Sequence, residues 1–516
     1  MTHHQLFQSS ASTTHTSASP TSRIGVEYQG IILAVGQGSR IYPLASTDPS
    51  HGLPKSLLPV VNRPVIRYAL DLYQSCGFSE VMIVCRQSQQ SQLNEYINYI
   101  HDSNRINESI YYSIDIKLLV VDDNISGTAD ALREISSYIY TNFFVLTADC
   151  ISNIQLQNLA DIHRTYNSAM VALCTYPYES RTLLSGTSGS GGGGGGKKKS
   201  SRQPTATRAD TDDADSTFIG LDSSSNTASY IDGTSRLLLY RATADIDECL
   251  DVNKKLLRQH PHITLYTQLR DQHCYLFSHW IIELLHDRLS IESIENDLIP
   301  YLVRSQYKEN LRVWKEKAKK QSKLYEQPLY MSHSRESLIQ YDKHSDENYS
   351  CYVYIPSTPS SHITLRACNN IRNYMIANFD LAMDPEFTFT PWLTTQQANN
   401  NYIEQVRRNN PNAKIQSQCV IGEHTTVGDQ SVLKRCIIGN RCKIGNHCKL
   451  NNVILMDDVT IEDYVKLDDC IVAVHARIGK SSTLKDVKIG AGYVVEPNTE
   501  LKNELLSKED EEGEIL

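Results

Sequence analysis

Ile438-Gly439-Asn440-Arg441-Cys442-Lys443-Ile444-Gly445-Asn446-His447-Cys448-Lys449-Leu450 places an aliphatic residue at every sixth position, and Leu455 follows Leu450 by five. The same six, six, five spacing extends back through Ile421, Val427 and Leu433. It extends forward through Ile461, Leu467, Val472, Ile478 and Leu484 to Ile489 and Val495, so equivalent positions return every 17 residues. Four residues after each aliphatic residue stands a second, mostly small one: Thr425, Ser431, Cys442, Cys448, Val459, Val465, Ala476 and Ser482. Glycine often follows the aliphatic residue directly, as at Gly422, Gly428, Gly439, Gly445, Gly479 and Gly490. Glycine adopts backbone angles that other residues resist, so these positions are expected to turn the corners of the coil.

Three short faces per turn wind into a triangular prism with the aliphatic residues stacked inside, the pattern of a left-handed parallel β-helix of hexapeptide repeats. Five coils at the spacing of β-strands stand roughly 24 Å tall. The repeat sets this domain at residues 411–500 and leaves 501–516 as an acidic tail. Cys436, Cys442 and Cys448 lie six apart, but Cys442 and Cys448 fall on the small inward position. Cys436, Val453, Cys470 and Val487 form another column at the 17-residue step. Cysteine alternating with valine behaves as a small buried hydrophobe, and the tetrahedral ligand set of a zinc site is missing.

Upstream, residues 28–310 alternate strand-like and helix-like segments. Gly30–Val35, Val81–Val84, Ile116–Val121, Phe143–Thr147 and Ala169–Thr175 are apolar runs of buried-strand type. Between the first two lies a helix, with Pro64 suited to its first turn, Val65, Tyr68, Ala69, Leu72 and Tyr73 on one face, and Gly77 as its stop. Strands separated by helices predict an α/β, Rossmann-like parallel sheet covered on both faces. The signal collapses in 185–215, where Gly191–Gly196 run into Lys197–Lys199, and this stretch is read as a disordered surface insertion. Phe218–Leu221, Leu237–Tyr240, Ile263–Leu269 and Tyr275–Phe277 resume the strands, and Ile281–Leu289 reads as a helix. Residues 311–410 are expected to be a helical linker and bridging segment.

The remaining composition bounds the function. The 516 residues are 40% hydrophobic and 21% charged, with no apolar run of membrane-spanning length. A formal charge of −9 argues against a direct nucleic-acid partner. The Ser/Thr/His-rich residues 1–27 lack the apolar core of a signal peptide and read as a disordered tail. Thirteen cysteines without C-x-x-C pairs fit a reducing compartment, so cytosol is the expected address.

Chemistry is suggested at one place. Leu33-Ala34-Val35-Gly36-Gln37-Gly38-Ser39-Arg40 is a Gly-rich turn after the first strand, the kind of backbone that offers N–H groups to phosphate. Leu53-Pro54-Lys55-Ser56-Leu57-Leu58-Pro59 adds a lysine at the same mouth. Thr147-Ala148-Asp149 ends a buried strand with an acid where a divalent ion fits, and Gly127-Thr128-Ala129-Asp130 opens a helix placed to contact a base. Together these resemble the sugar-1-phosphate nucleotidyltransferases over residues 28–305. The resemblance implies that the Gly-rich loop with Ala34, Gly36, Gly38, Ser39 and Arg40 would hold nucleotide phosphates, beside Lys55, Gly127 and Thr128, and that Asp149 would bind magnesium in an active pocket.

This chain departs from that pattern: Val35 replaces the first glycine, Ser39 the threonine and Ala45 the final threonine. The second metal carboxylate also has no candidate, because Tyr275-Leu276-Phe277-Ser278 carries no acid. A surviving but inactive fold with no metal, no cofactor and no catalytic residue is therefore expected, with an active sugar-1-phosphate nucleotidyltransferase as the alternative. An acyltransferase, which hexapeptide helices also suggest, has His424, His447 and His475 as its only candidates, and solenoid-face histidines are ordinarily just solvated.

Phe218-Ile219-Gly220-Leu221-Asp222, Ala244-Asp245-Ile246-Asp247-Glu248 and Leu298-Ile299-Pro300-Tyr301-Leu302-Val303-Arg304 narrow the resemblance. With Gly127–Arg133, Cys351-Tyr352-Val353 and Ala377-Asn378, they resemble the gamma subunits of eukaryotic translation initiation factor 2B over residues 28–496. That resemblance implies a non-catalytic subunit of the complex that exchanges GDP for GTP on initiation factor 2. Its expected partners are the epsilon subunit, the remaining subunits and initiation factor 2. The expectation favours gamma over epsilon because only the acidic Lys508–Glu514 stretch follows the β-helix, where epsilon carries a helical catalytic domain.

Overall fold

The structure, a computed structural model, describes residues 27–46, 52–106, 114–176, 217–222, 232–243, 246, 250, 252, 254–306, 349–356, 364–383, 402–416 and 418–508. The insertion at 185–215, the helical stretch expected at 311–325 and nearly all of the N-terminal tail lie outside these residues.

The first body is built on β1 (Gln29–Leu33), whose last four residues are buried. A strand covered on both faces needs a continuous apolar run, which Gly30–Leu33 supplies. After it come α1 (Ile66–Ser75), β2 (Glu80–Arg86), α2 (Gln90–Ile106), β3 (Asp115–Val121), α3 (Thr128–Glu134), β4 (Phe143–Thr147) and β5 (Cys150–Ser152). Then follow α4 (Gln157–Tyr166), β6 (Met170–Thr175), β7 (Thr217–Asp222), β8 (Thr234–Ala242), β9 (Ile263–Tyr266), β10 (Arg270–Phe277), α5 (Trp280–Asp287) and α6 (Ile299–Ser305). β11 (Cys351–Tyr354), β12 (Thr364–Arg366) and α7 (Ile371–Met383) complete the body.

Ten strands join in the order β9-β7-β8-β11-β6-β10-β4-β1-β2-β3. β1 runs parallel to β2 and β4, with Gly30 opposite Val81 and Phe144. The sheet is mixed rather than wholly parallel, because β10 lies antiparallel between β4 and β6. Two apolar layers cover it, one with Leu132, Trp280 and Leu302 and the other with Leu70, Leu93 and Leu159.

Two boundaries move. Pro64 pairs with Pro59 in a two-residue ladder, and α1 begins after it at Ile66. The ladder forms because Val61 and Asn62 take positive φ and make a hairpin turn. The α/β body also does not end at 310: β11 enters the middle of the sheet, parallel to β6 with Cys351 opposite Met170. Its apolar alternation is short and comes long after the other strands, so the sequence alone places it in a linker.

The second body is the β-helix. Its coils pair in parallel at the 17-residue step, as with Ile444 and Ile461 or Leu450 and Leu467. The expected columns are buried, including Cys436, Val453, Cys470 and Val487 at 0% exposure. Strands Glu500–Lys502 and Leu505–Leu506 pair with the coil below, so the helix continues past 500 into the segment expected to be tail. The repeat persists there as Leu501 and Leu506 at the inward positions.

The repeat glycines act differently from expectation. Gly422, Gly428, Gly439, Gly445, Gly479 and Gly490 are absent from the positive-φ set. They are small because the next coil is close: a Cβ on Gly428 would lie 2.5 Å from the Gly445 carbonyl carbon, and one on Gly479 2.5 Å from Pro497 N. Left-handed turns fall instead on residues such as His424, Gln430, Arg441, His447, Asp458, Tyr464, His475 and Ser481.

The two bodies share one apolar cluster. Ile437, Ile454 and Ile471, which point outward from one helix face, pack with Tyr374, Ala377 and Phe379 of the α7 region and with Leu58, Val60, Val61 and Tyr68. Asn378, wholly buried, accepts from Val61 N at 2.8 Å, and Asn62 Nδ2 donates to Ile438 O at 2.7 Å.

Candidate functional site

The site lies at the C-terminal ends of β1 and β4. Ala34 is buried at the end of β1, while Gly36, Ser39 and Arg40 are exposed in the loop beyond it. Gly38 has φ +80, the left-handed conformation that lets the chain swing into the short helical turn Ser39–Ile41. Gly36 faces Lys55: a Cβ there would meet only Lys55 Cδ, at 3.7 Å. Arg40 Nη1 reaches Asn369 Oδ1 at 3.5 Å, in the loop before α7.

Lys55 Nζ pairs with Asp149 Oδ2 at 2.9 Å, with Asp149 2% exposed. The Gly-rich loop, the lysine block and the strand-ending acid thus converge as expected. Residues that carry no recognisable motif complete the cluster. Arg366, at the end of β12, is drawn in because β12 pairs antiparallel with β5, so that Arg366 opposes Cys150, and because Ala367 N donates to Asp149 O at 2.9 Å. Arg366 Nη1 lies 3.0 Å from His273 Nε2, and His273 Nε2 in turn lies 2.9 Å from Glu295 Oε2. His273 reaches this position through a β-bulge in β10 and a φ of 52.

Electrostatics follow this geometry. Burial pushes the Asp149 carboxyl upward, but Lys55, Arg366 and His273 hold it well below the usual carboxylate range. Burial acts on Glu295 in the same sense, and His273, Arg366 and Arg40 hold it at about 2. Asp271 is different: burial raises its carboxyl, despite the neighbouring His273. It accepts from Tyr240 Oη at 2.9 Å and Tyr275 Oη at 2.8 Å.

Gly127 and Thr128, expected to contact a base, meet a segment of the chain itself. Ala129 N donates to Glu292 O at 2.8 Å, and Ile294 N donates to Thr128 Oγ1 at 2.9 Å. A Cβ on Gly127 would run into the Glu292 carbonyl. Segment 292–295 thus packs against the start of α3, where Gly127 and Thr128 stay partly exposed, and Glu295 joins that segment to the charged cluster.

Magnesium, which this fold implies, does not fit the donors present. An ammonium stands against Asp149 where a hard cation would need oxygen ligands. His424, His447 and His475 occupy left-handed corners of the β-helix, and His447 stacks on Tyr464 at 4.9 Å between centroids. Among the described residues no helix is long and apolar enough to cross a membrane.

Arg366, His273 and Glu295 escape a reading of the sequence because they come from three distant elements. The faint signal is a charged residue beside apolar runs, Arg366 after Ile363-Thr364-Leu365 and Glu295 beside Ile294.

Comparison with known proteins agrees with this two-part architecture. Residues 29–183 match the family model described as nucleotidyl transferase, and residues 398–501 match the one described as EIF2B subunit epsilon LbH domain. The translation initiation factor eIF2B subunit gamma of Schizosaccharomyces pombe is 30% identical over 485 residues, covering 94% of this chain and 90% of the relative. Its counterpart in Dictyostelium discoideum is 26% identical over 427 residues, 80% of this chain and 87% of the relative. That of Caenorhabditis elegans is 26% identical over 281 residues, 54% and 59% respectively. A likeness that runs through the sheet, the bridging strands and the β-helix alike is not that of one shared domain, and the chain belongs to the family of translation initiation factor eIF2B gamma subunits.

Proposed function

We propose that this chain is a non-catalytic subunit of the guanine nucleotide exchange complex that returns initiation factor 2 from its GDP to its GTP form. In this reading it works in the cytosol, pairs with the epsilon subunit and the other subunits, and meets initiation factor 2 as part of the assembly. Its nucleotidyltransferase-like domain carries out no transfer. One observation supports that last point most: Lys55 and Arg366 neutralise Asp149 from within the chain, so the acid that would bind a metal is already engaged. The packing of segment 292–295 against the start of α3 supports it further.

The test has two parts. Pure chain incubated with nucleoside triphosphate, sugar 1-phosphate and magnesium is expected to release no pyrophosphate; turnover abolished by Asp149→Ala would restore the enzyme reading. Tagged chain is expected to recover the other subunits and, with them, to accelerate GDP release from initiation factor 2. Isolation as a self-sufficient homo-oligomer without effect on GDP release would overturn the proposal.

A further inference from the structure

One face of the β-helix stacks lysine on lysine in successive coils. Elsewhere, successive coils stack complementary groups. Arg441 pairs with Asp458 at 2.6 Å, Arg477 with Glu462 at 2.5 Å, and Asn446 Oδ1 accepts from Asp429 N at 2.8 Å. The face formed by Val432–Lys434, Lys449–Asn451, Lys466–Asp468, Thr483–Lys485 and Glu500–Lys502 carries two like-charged pairs in register beside one complementary pair, Asp468 with Lys485. Lys449 lies directly in register with Lys466, and Lys485 with Lys502.

Leu433, Leu450, Leu467 and Leu484 point inward from these strands, so the lysines flanking them project outward from a flat surface. Lys434, Lys449, Lys466, Lys485 and Lys502 are exposed. Two acids share the surface. Asp468 lies 3.9 Å from Lys485 and accepts from Asn451 at 2.6 Å, and Glu500 stands at the last rung. Among the described residues no carboxylate pairs with Lys449 or Lys466. Like charges directly opposite on a sheet destabilise it, and adjacent rungs are only about 4.8 Å apart. In a chain of net charge −9, this concentration of lysine is a local reversal of sign.

We propose that this lysine face is a docking surface for a carboxylate-rich segment of a partner protein, whichever subunit supplies it. The inference stands apart from the fate of the nucleotidyltransferase pocket. A row of carboxylates relieves the stacked repulsion and matches a flat surface of ammonium groups. Single-stranded nucleic acid fits less well. The outward positions of these five strands carry no aromatic side chain to stack a base and no arginine fork for phosphate.

The test uses purified full-length chain titrated with a fluorescent glutamate-rich dodecapeptide and, separately, with a fluorescent RNA dodecamer. Lys449→Ala/Lys466→Ala is expected to weaken the peptide complex about tenfold or more, while the control Lys443→Ala/Arg477→Ala on the neighbouring face leaves it unchanged. The melting temperature of the lysine variant is expected to stay level or rise. A variant that melts lower, peptide binding indifferent to these lysines, or tighter binding of the RNA than of the peptide would each overturn the proposal.

Discussion

The two bodies of this protein solve the same problem, burying parallel strands, with opposite chain economies. In the β-helix each strand lies beside the one 17 residues away, as Ile444 lies beside Ile461. In the ten-stranded sheet β11 lies beside β6, so Cys351 meets Met170 from the far side of the stretch outside the described residues. Nearest-neighbour stacking makes the helix a sum of coil interfaces, whereas the sheet holds together only when distant segments arrive. Their glycines show the difference most directly. In the helix a repeat glycine is required by the neighbouring coil, whereas in the α/β body Gly127 is required by the distant Glu292 and Gly36 in the pocket loop faces only a lysine side chain.

The comparison breaks most sharply at the coil contacts. Gly428→Val places its Cβ against the Gly445 backbone and is expected to cost about 3 kcal/mol or more, measured by urea denaturation. A loss under about 1 kcal/mol would mean that the coils can separate without penalty. In the pocket, Asp149→Asn strips the partner from Lys55 and Arg366 and is expected to destabilise by about 3 kcal/mol while leaving subunit capture intact. A gain in stability would show that burial of the carboxylate outweighs its pairing.

The acid response sharpens the contrast further. Asp149 and Glu295 are held below ordinary carboxyl values, so their stabilisation is complete above the unfolded value of about 4 and is lost as pH falls toward 2. Wild-type chain should therefore lose stability more steeply between pH 5 and 3, in round figures (~), than Glu295→Gln, as followed by denaturation midpoints. Parallel curves would remove the ion cluster from the account. The smallest effects are expected from two exchanges read by melting temperature. Ser481→Gly relieves a left-handed corner and should gain up to about 1 kcal/mol, while Gly36→Ala should change stability by less than about 0.5 kcal/mol.

Much of the β-helix is legible in the sequence because each coil repeats the same burial. Ile421, Ile438, Leu455, Val472 and Ile489 form one column, and the cysteines fall into others as filler. What the repeat hides is the second aliphatic residue of Ile437-Ile438, Ile454-Leu455 and Ile471-Val472. Doubled aliphatics signal a strand covered on both sides, and here the outer cover is α7. In the α/β body, Gly38, Lys55 and Asp149 were legible because local turn chemistry and strand ends place them. Arg366, His273 and Glu295 were not, since only tertiary pairing brings them to the same point. The contacts of Gly127 and Thr128 could not be read from their helix start alone, because the segment that packs on it lies far downstream.

The shared apolar cluster has a genetic consequence. A message cut short between α7 and the β-helix would yield a folded-looking sheet whose Tyr374, Ala377 and Phe379 have lost their cover of Ile437, Ile454 and Ile471. Such a product would present an adhesive patch to chaperones and proteases rather than persist as a free-standing half. Nonsense alleles in this interval should therefore behave as nulls with little detectable protein.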